Sequence, residues 1–303
     1  MQDTAGSIRI PAACNGLVGF RPSRGRWSGQ GIVPIDSLKD TPGPLGISVR
    51  DITLLDAVAS GKEVPAASQL CDFSVGVPED WIEQAEEMDS TCIAALEDAL
   101  SVLDDGGTTI FRDNKFKDVL QVFPSFSKGV DSSGELQRYL DSHTELHVKS
   151  VDEVISGLPQ TSTARRLYTP ITDKELLRRD QANRLLGVQK LEQAYRAYFK
   201  THNLQAIIVP SMPIEPIPIT GWDDNHNLET QTEPSTTHYH KTAFFTMPLC
   251  NIPFPSISLP VPSTSFTIAN TLPASVMLLG VDDDELLAVA AALEDAWRKG
   301  DGL

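Results

Sequence analysis

The chain has 303 residues, 41% of them hydrophobic, and a formal net charge of -16. Neither nucleic acid nor an anionic membrane rewards so acidic a surface, so both are excluded as expected partners. No window approaches the eighteen or so uninterrupted apolar residues of a membrane span, and the start lacks the basic and apolar regions of a signal peptide, which makes the cytoplasm the expected location.

In chain order, Thr4-Ala5-Gly6 is a run of small residues followed at once by Ser7. Such a run lets backbone N–H groups crowd one point beside a hydroxyl, which suits an oxyanion site next to a nucleophile, and it equally suits an ordinary turn. Pro11 fixes φ and is expected to end any helix before it. Arg9, two residues beyond Ser7, either clamps a substrate carboxylate in a planar fork or pairs with an acid such as Asp3.

Ser74–Val77 reads as a short strand ended by Pro78, and Ile93, Leu96, Leu100 and Leu103 recur at helical spacing. Gly106-Gly107 stops that helix, and Thr108–Phe111 is β-branched and aromatic. A βαβ unit of this kind places two parallel strands in one sheet, so an α/β core with helices on its faces is expected. Residues 112–172 are less legible; Phe123, Phe126 and Tyr139 are read as core contacts between helices. A second helix is expected over 174–200, with Leu176, Leu177, Leu185, Leu186, Leu191, Tyr195 and Tyr198 on or near one side, feeding a strand at Ala206–Val209. Residues 210–240 are rich in proline and polar groups and read as a long loop. Its His238 and His240, one residue apart with no patterned carboxylate, make a poor ligand pair, so no metal is expected. A strand at Ser275–Leu279 and a helix from about Asp283 to Lys299 close the chain, the helix acidic at its start and basic at its end as the dipole favours. Cys14, Cys71, Cys92 and Cys250 are widely spaced with no C-x-x-C, and read as reduced core thiols.

The opening Asp3-Thr4-Ala5-Gly6-Ser7-Ile8-Arg9-Ile10-Pro11-Ala12-Ala13-Cys14-Asn15-Gly16 resembles the nucleophile segment of the amidase signature family. The likeness continues through Val18-Gly19-Phe20-Arg21-Pro22, Gly31-Ile32-Val33-Pro34, Asp40-Thr41-Pro42-Gly43-Pro44 and Ser48-Val49-Arg50-Asp51 in the family's order. Looser echoes recur at Ile207–Ser211, Cys250–Pro260 and Leu272–Gly280. The resemblance implies one amidase domain over 1–303, a mixed β-sheet core with helices on both faces and its N-terminal part missing. Within it, 1–60 is the nucleophile segment, 61–200 the βαβ unit and helical pocket-shaping region, and 201–303 the return to the core.

By motif match the resemblance makes Ser7 the nucleophile, and the backbone N–H groups of Thr4, Ala5, Gly6 and Ser7 the oxyanion donors. It favours Arg9 and Asp3 as structural support of the loop. Ala5 stands where the family usually has glycine, and Met1-Gln2 replaces the usual Gly-Thr. The family's other two catalytic groups, a bridging serine and a basic lysine, have no counterpart in the sequence. Lys39 and Lys62 follow the nucleophile and are not expected to replace the lysine.

The implied function is hydrolysis of a linear carboxamide C–N bond through an acyl-enzyme, without a cofactor. The motifs look more like the indoleacetamide and mandelamide hydrolases than the tRNA amidotransferase subunits, so a small aryl or apolar primary amide is the expected substrate. This chain alone is expected to be inactive or severely impaired. An N-terminal amidase segment in trans or a homo-oligomer is the expected partner, and a split amidase or a non-catalytic binding or scaffold protein is the alternative reading.

Overall fold

The computed structural model describes residues 1–113, 115–123, 129–160, 162–216, 241–262 and 272–300. Phe126, His238 and His240 lie outside the described residues. The first half runs β1 (Gln2–Asp3), α1 (Arg9–Cys14), β2 (Val18–Arg21), β3 (Thr41–Pro42), β4 (Leu45–Gly46), α2 (Val49–Ser60), β5 (Ser74–Pro78), α3 (Glu79–Ile82), α4 (Ser90–Asp105) and β6 (Thr109–Asp113). There follow α5 (Phe116–Gln121), α6 (Ser132–Ser142), α7 (Val151–Gly157), α8 (Thr163–Tyr168), α9 (Lys174–His202), β7 (Ala206–Pro210), β8 (Ser256–Pro260), β9 (Ser275–Leu279) and α10 (Asp283–Gly300).

Seven strands form one mixed sheet in the order β4-β2-β8-β9-β7-β5-β6, and β1 pairs with β3 in a separate two-stranded ribbon. The expected βαβ unit is present: β5 and β6 pair in parallel, Val75 opposite Ile110, with α4 between them in sequence. Around them β7, β9, β8 and β2 pair antiparallel, which makes the sheet mixed.

Alternation along the central strands explains why helices cover both faces. Ala206, Ile208, Val276 and Leu278 point into one apolar layer with residues of α4 and α10, including Leu96, Leu103, Leu286 and Leu293. Ile207, Val209, Met277 and Leu279 point into the other, against Leu191, Tyr195 and Phe199 of α9 and against Trp81, Phe116 and Phe245. On this second face α1 crosses β2 at Gly19, where an added Cβ would come within 2.5 Å of the Ala12 Cβ. The missing side chain is therefore what lets α1, and Ser7 just ahead of it, sit close on the sheet.

Local signals set the helix ends. Ser48 caps α2 by accepting from the Asp51 N–H, and Gly61 ends it at φ 68°. Asn203 ends α9 in the left-handed region at φ 51°. Among the described residues no helix is long and apolar enough to cross a membrane.

Several expectations require correction. Leu176, Leu185 and Leu186 are 41%, 50% and 58% exposed, whereas the buried side of α9 is Leu177, Arg184, Val188, Leu191, Tyr195, Tyr198 and Phe199. Arg184 occupies a core position because its guanidinium pairs with buried Asp36, a partner 148 residues away. Ile93 is exposed for a similar reason of phase: α4 buries Cys92, Ala95, Leu96, Ala99, Leu100 and Leu103. Pro11 lies inside α1, in its first turn, where its missing N–H forfeits no helical bond. Tyr139 is half-buried and stacks on His143 with ring centroids 4.0 Å apart, while Phe123 packs at the margin of the second apolar layer. All four cysteines are free, but only Cys92 and Cys250 are buried; Cys71 is exposed in a short 3-10 turn and Cys14 is half-buried.

Candidate active site

The site is organised around one buried carboxylate. Asp3 enters on β1, whose pairing of Asp3 with Thr41 brings the chain start against the 40–43 segment. Both Asp3 and Arg9 have no exposed surface. Arg9 donates from Nη2 to Asp3 Oδ1 at 3.0 Å and from Nε to Oδ2 at 3.1 Å, a two-pronged contact that fixes the guanidinium plane. Arg21 Nε stands 3.5 Å from the same Oδ1. Burial by itself would raise the Asp3 pKa, but the charge and hydrogen bonds of Arg9, the charge of Arg21 and the Ile8 N–H together bring it down to about 2. For Arg9 burial works against the charge, and the attraction of Asp3 outweighs it.

The remaining Asp3 lone pairs shape the backbone of the loop. Gly6 N–H donates to Oδ1 at 2.8 Å and Ile8 N–H to Oδ2 at 3.1 Å. Turning the Gly6 amide inward requires φ 124°, a conformation that glycine tolerates and side chains do not. Ser7 sits between these two inward-facing amides and is exposed. Among the described residues its hydroxyl has no hydrogen-bond partner, and the N–H groups of Ala5 and Ser7 are likewise unengaged. Of the four expected oxyanion donors, Gly6 therefore differs from the rest: its N–H is turned into the protein and occupied by Asp3.

A second segment, far away in sequence, closes over the loop. Thr246 Oγ1 donates to the Ala5 carbonyl at 2.8 Å, and its own carbonyl accepts from Arg9 Nη2 at 3.4 Å and from the Cys250 thiol at 3.1 Å. Arg9 Nη2 also donates to Cys250 Sγ at 3.0 Å. Burial pushes the Cys250 thiol up, and Arg9 opposes that shift. Thr4 is anchored from the other side, its hydroxyl donating to Asp40 Oδ1 at 2.6 Å while Asp40 Oδ2 takes the N–H groups of Ile35 and Asp36. The sequence carried no local signal for Thr246 or Cys250 in these roles, because the contacts join segments more than 200 residues apart.

Lys39 is buried beside Asp36, with Nζ 3.4 Å from Oδ2, and desolvation lowers its pKa. Its backbone carbonyl accepts from Arg21 Nη2 at 2.8 Å. Lys62 is exposed beyond the end of α2. The arrangement thus presents one outward hydroxyl with two free neighbouring amides, on a turn fixed by a buried ion pair. It offers an exposed hydroxyl and backbone N–H donors, with no proton acceptor in contact with the hydroxyl among the described residues.

The sequence matches the Amidase family over residues 2–287. The chain therefore belongs to the Amidase family. It is 30% identical over 303 residues to an indoleacetamide hydrolase of Rhizobium radiobacter, covering 97% of this chain and 62% of that protein. It is 32% identical over 322 residues to a mandelamide hydrolase of Pseudomonas putida, covering 98% and 58% respectively. The chain thus spans about three-fifths of the length of these relatives. A crystal structure of an amidase superposes with a TM-score of 0.68 at 24% identity, covering 98% of this chain and 62% of that one. The structure of 6-aminohexanoate cyclic dimer hydrolase gives 0.68 at 22%, covering 98% and 64%. These two likenesses establish the mixed α/β fold.

Proposed function

We propose that the chain carries the nucleophile side of a serine amidase acting on small aryl carboxamides. The observation that carries this reading is the Asp3-centred turn, which buries the amides on either side of Ser7 and leaves the serine hydroxyl facing outward. In the proposed reaction Ser7 Oγ adds to the amide carbonyl carbon as its proton passes to a base. The oxyanion lies against the N–H groups of Ala5 and Ser7, with Thr4 as a further donor. Collapse expels the amine, which takes up a proton, and water then hydrolyses the acyl-serine and restores the hydroxyl. Asp3 and Arg9 support the loop and do not touch the substrate.

No base contacts Ser7 among the described residues, so we infer that the basic lysine and bridging serine come from outside the described residues. A homo-oligomer is the less favoured source, since Lys39 is engaged by Asp36. Loss of one member of such a catalytic unit costs on the order of 10⁴ to 10⁶ in kcat, so the isolated chain is expected to be severely impaired. The aryl amide class is supported by the two relatives at 30% and 32% identity, an indoleacetamide and a mandelamide hydrolase.

The test is ammonia release from phenylacetamide by the chain mixed with the part of the Rhizobium relative that it does not match. Release that disappears with Ser7→Ala supports the reading. Release that survives Ser7→Ala removes Ser7 from the nucleophile role.

A further inference from the structure

The segment that holds the nucleophile loop has a second side. Thr246 and Cys250, four residues apart, face Ala5 and Arg9. Ala243, Met247 and Asn251, also four apart, line a cavity of about 340 Å³ instead. One stretch of backbone therefore serves as a wall, with the loop of Ser7 on one side and a half-open cavity on the other. Trp81, Leu120 and Phe123 line that space from other elements, and Phe244 lines it from the same stretch.

The cavity is mostly apolar and aromatic, with one cation. Lys117, half-buried on α5, lines it and makes no ion pair among the described residues. Asp80 accepts the Lys117 backbone N–H at 2.9 Å but does not line the cavity. In a chain with a net charge of -16, a lysine lining an aromatic cavity whose lining holds no carboxylate is a polar group placed for a ligand. Gln84 and Gln121, both exposed, add amide groups to the lining.

We propose that this cavity is a binding site for a small aromatic carboxylate, its ring held among Trp81, Phe123 and Phe244 and its anion on Lys117. A charge-assisted hydrogen bond at a partly buried site is roughly twice as strong as a neutral one, so the acid is favoured over the matching neutral amide by roughly tenfold. The proposal goes beyond the amidase reading and needs neither Ser7 nor turnover.

Isothermal titration of the purified chain with 2-naphthoate and with 2-naphthamide tests it directly. The expected result is binding of both, the acid about tenfold tighter. Lys117→Met is expected to bring the acid down to the amide, and Lys117→Arg to keep most of the difference; Lys117 is half-buried, and circular dichroism checks that both variants fold. Absence of naphthoate binding at millimolar concentration overturns the proposal, as does a preference that survives Lys117→Met. Ser7→Ala leaves both affinities unchanged, so failure here is distinguishable from failure of the amidase reading.

Discussion

Thr246 Oγ1 donates to the carbonyl oxygen of Ala5 at 2.8 Å, a bond spanning 241 positions of sequence. It fixes the peptide that precedes Gly6 and so decides which way the Gly6 amide points. Replacing Thr246 with Val keeps the shape and removes the donor to a buried carbonyl, at a cost of about 1 to 3 kcal/mol. Urea unfolding is expected to show that loss, and Thr246→Ser to recover most of it. Equal stability of the Val variant would show that the bond does not hold the loop.

Asp3 makes stability depend on pH in a defined window. Its folded pKa, about 2, lies below the ordinary 3.8, so the ionised form is favoured by folding. The resulting stabilisation, about 2 kcal/mol, is fully present above pH 3.8 and is lost as pH falls through about 2. Asp3→Asn removes it at all pH values and also leaves Arg9 buried without its counter-charge, about 3 to 5 kcal/mol in all. The gap between wild type and variant, measured by urea midpoints from pH 5 downward, is expected to narrow toward pH 2. A constant gap would contradict the assignment.

Gly6 and Gly25 both have positive φ, at 124° and 87°, but their surroundings differ. A Cβ on Gly6 would lie 2.4 Å from Thr246 Oγ1 and 2.7 Å from Ile10 Cδ1, whereas nothing lies within 4 Å at Gly25. Gly25→Ala is therefore expected to cost only backbone strain, about 1 to 2 kcal/mol. Gly6→Ala adds steric overlap of about 1 to 3 kcal/mol and shifts the turn that carries Ser7. Thermal unfolding of the two variants compares them; equal losses would mean that the wall around residue 6 yields freely.

The opening segment was legible because its chemistry is local. Asp3, Gly6, Ser7 and Arg9 fall within seven residues, so their types and order could be read together. The βαβ unit was legible for the same reason, since Gly106-Gly107 and the β-branched run after it mark a boundary in place. What escaped was non-local. Arg184 is buried in α9 because Asp36 lies opposite it, and no periodicity of 174–200 contains that fact. Thr246 and Cys250 show nothing in their own neighbourhood that points to residues 5 and 9. The inward Gly6 amide was hidden too, because a string of small residues leaves open which N–H groups face outward.

On the proposed reading, Ser7 is a nucleophile on a finished loop whose base lies outside the described residues. Fluorophosphonate labelling followed by peptide mapping tests this reading, with the chain alone and with the unmatched part of the Rhizobium relative. Ser7 is exposed and bonded to nothing among the described residues, so Ser7→Ala preserves the fold and serves as the blank. The expected result is little label on the chain alone, and stoichiometric label confined to Ser7 once that part is added. Stoichiometric labelling of Ser7 in the partner-free chain, or label on another serine in the mixture, would contradict it.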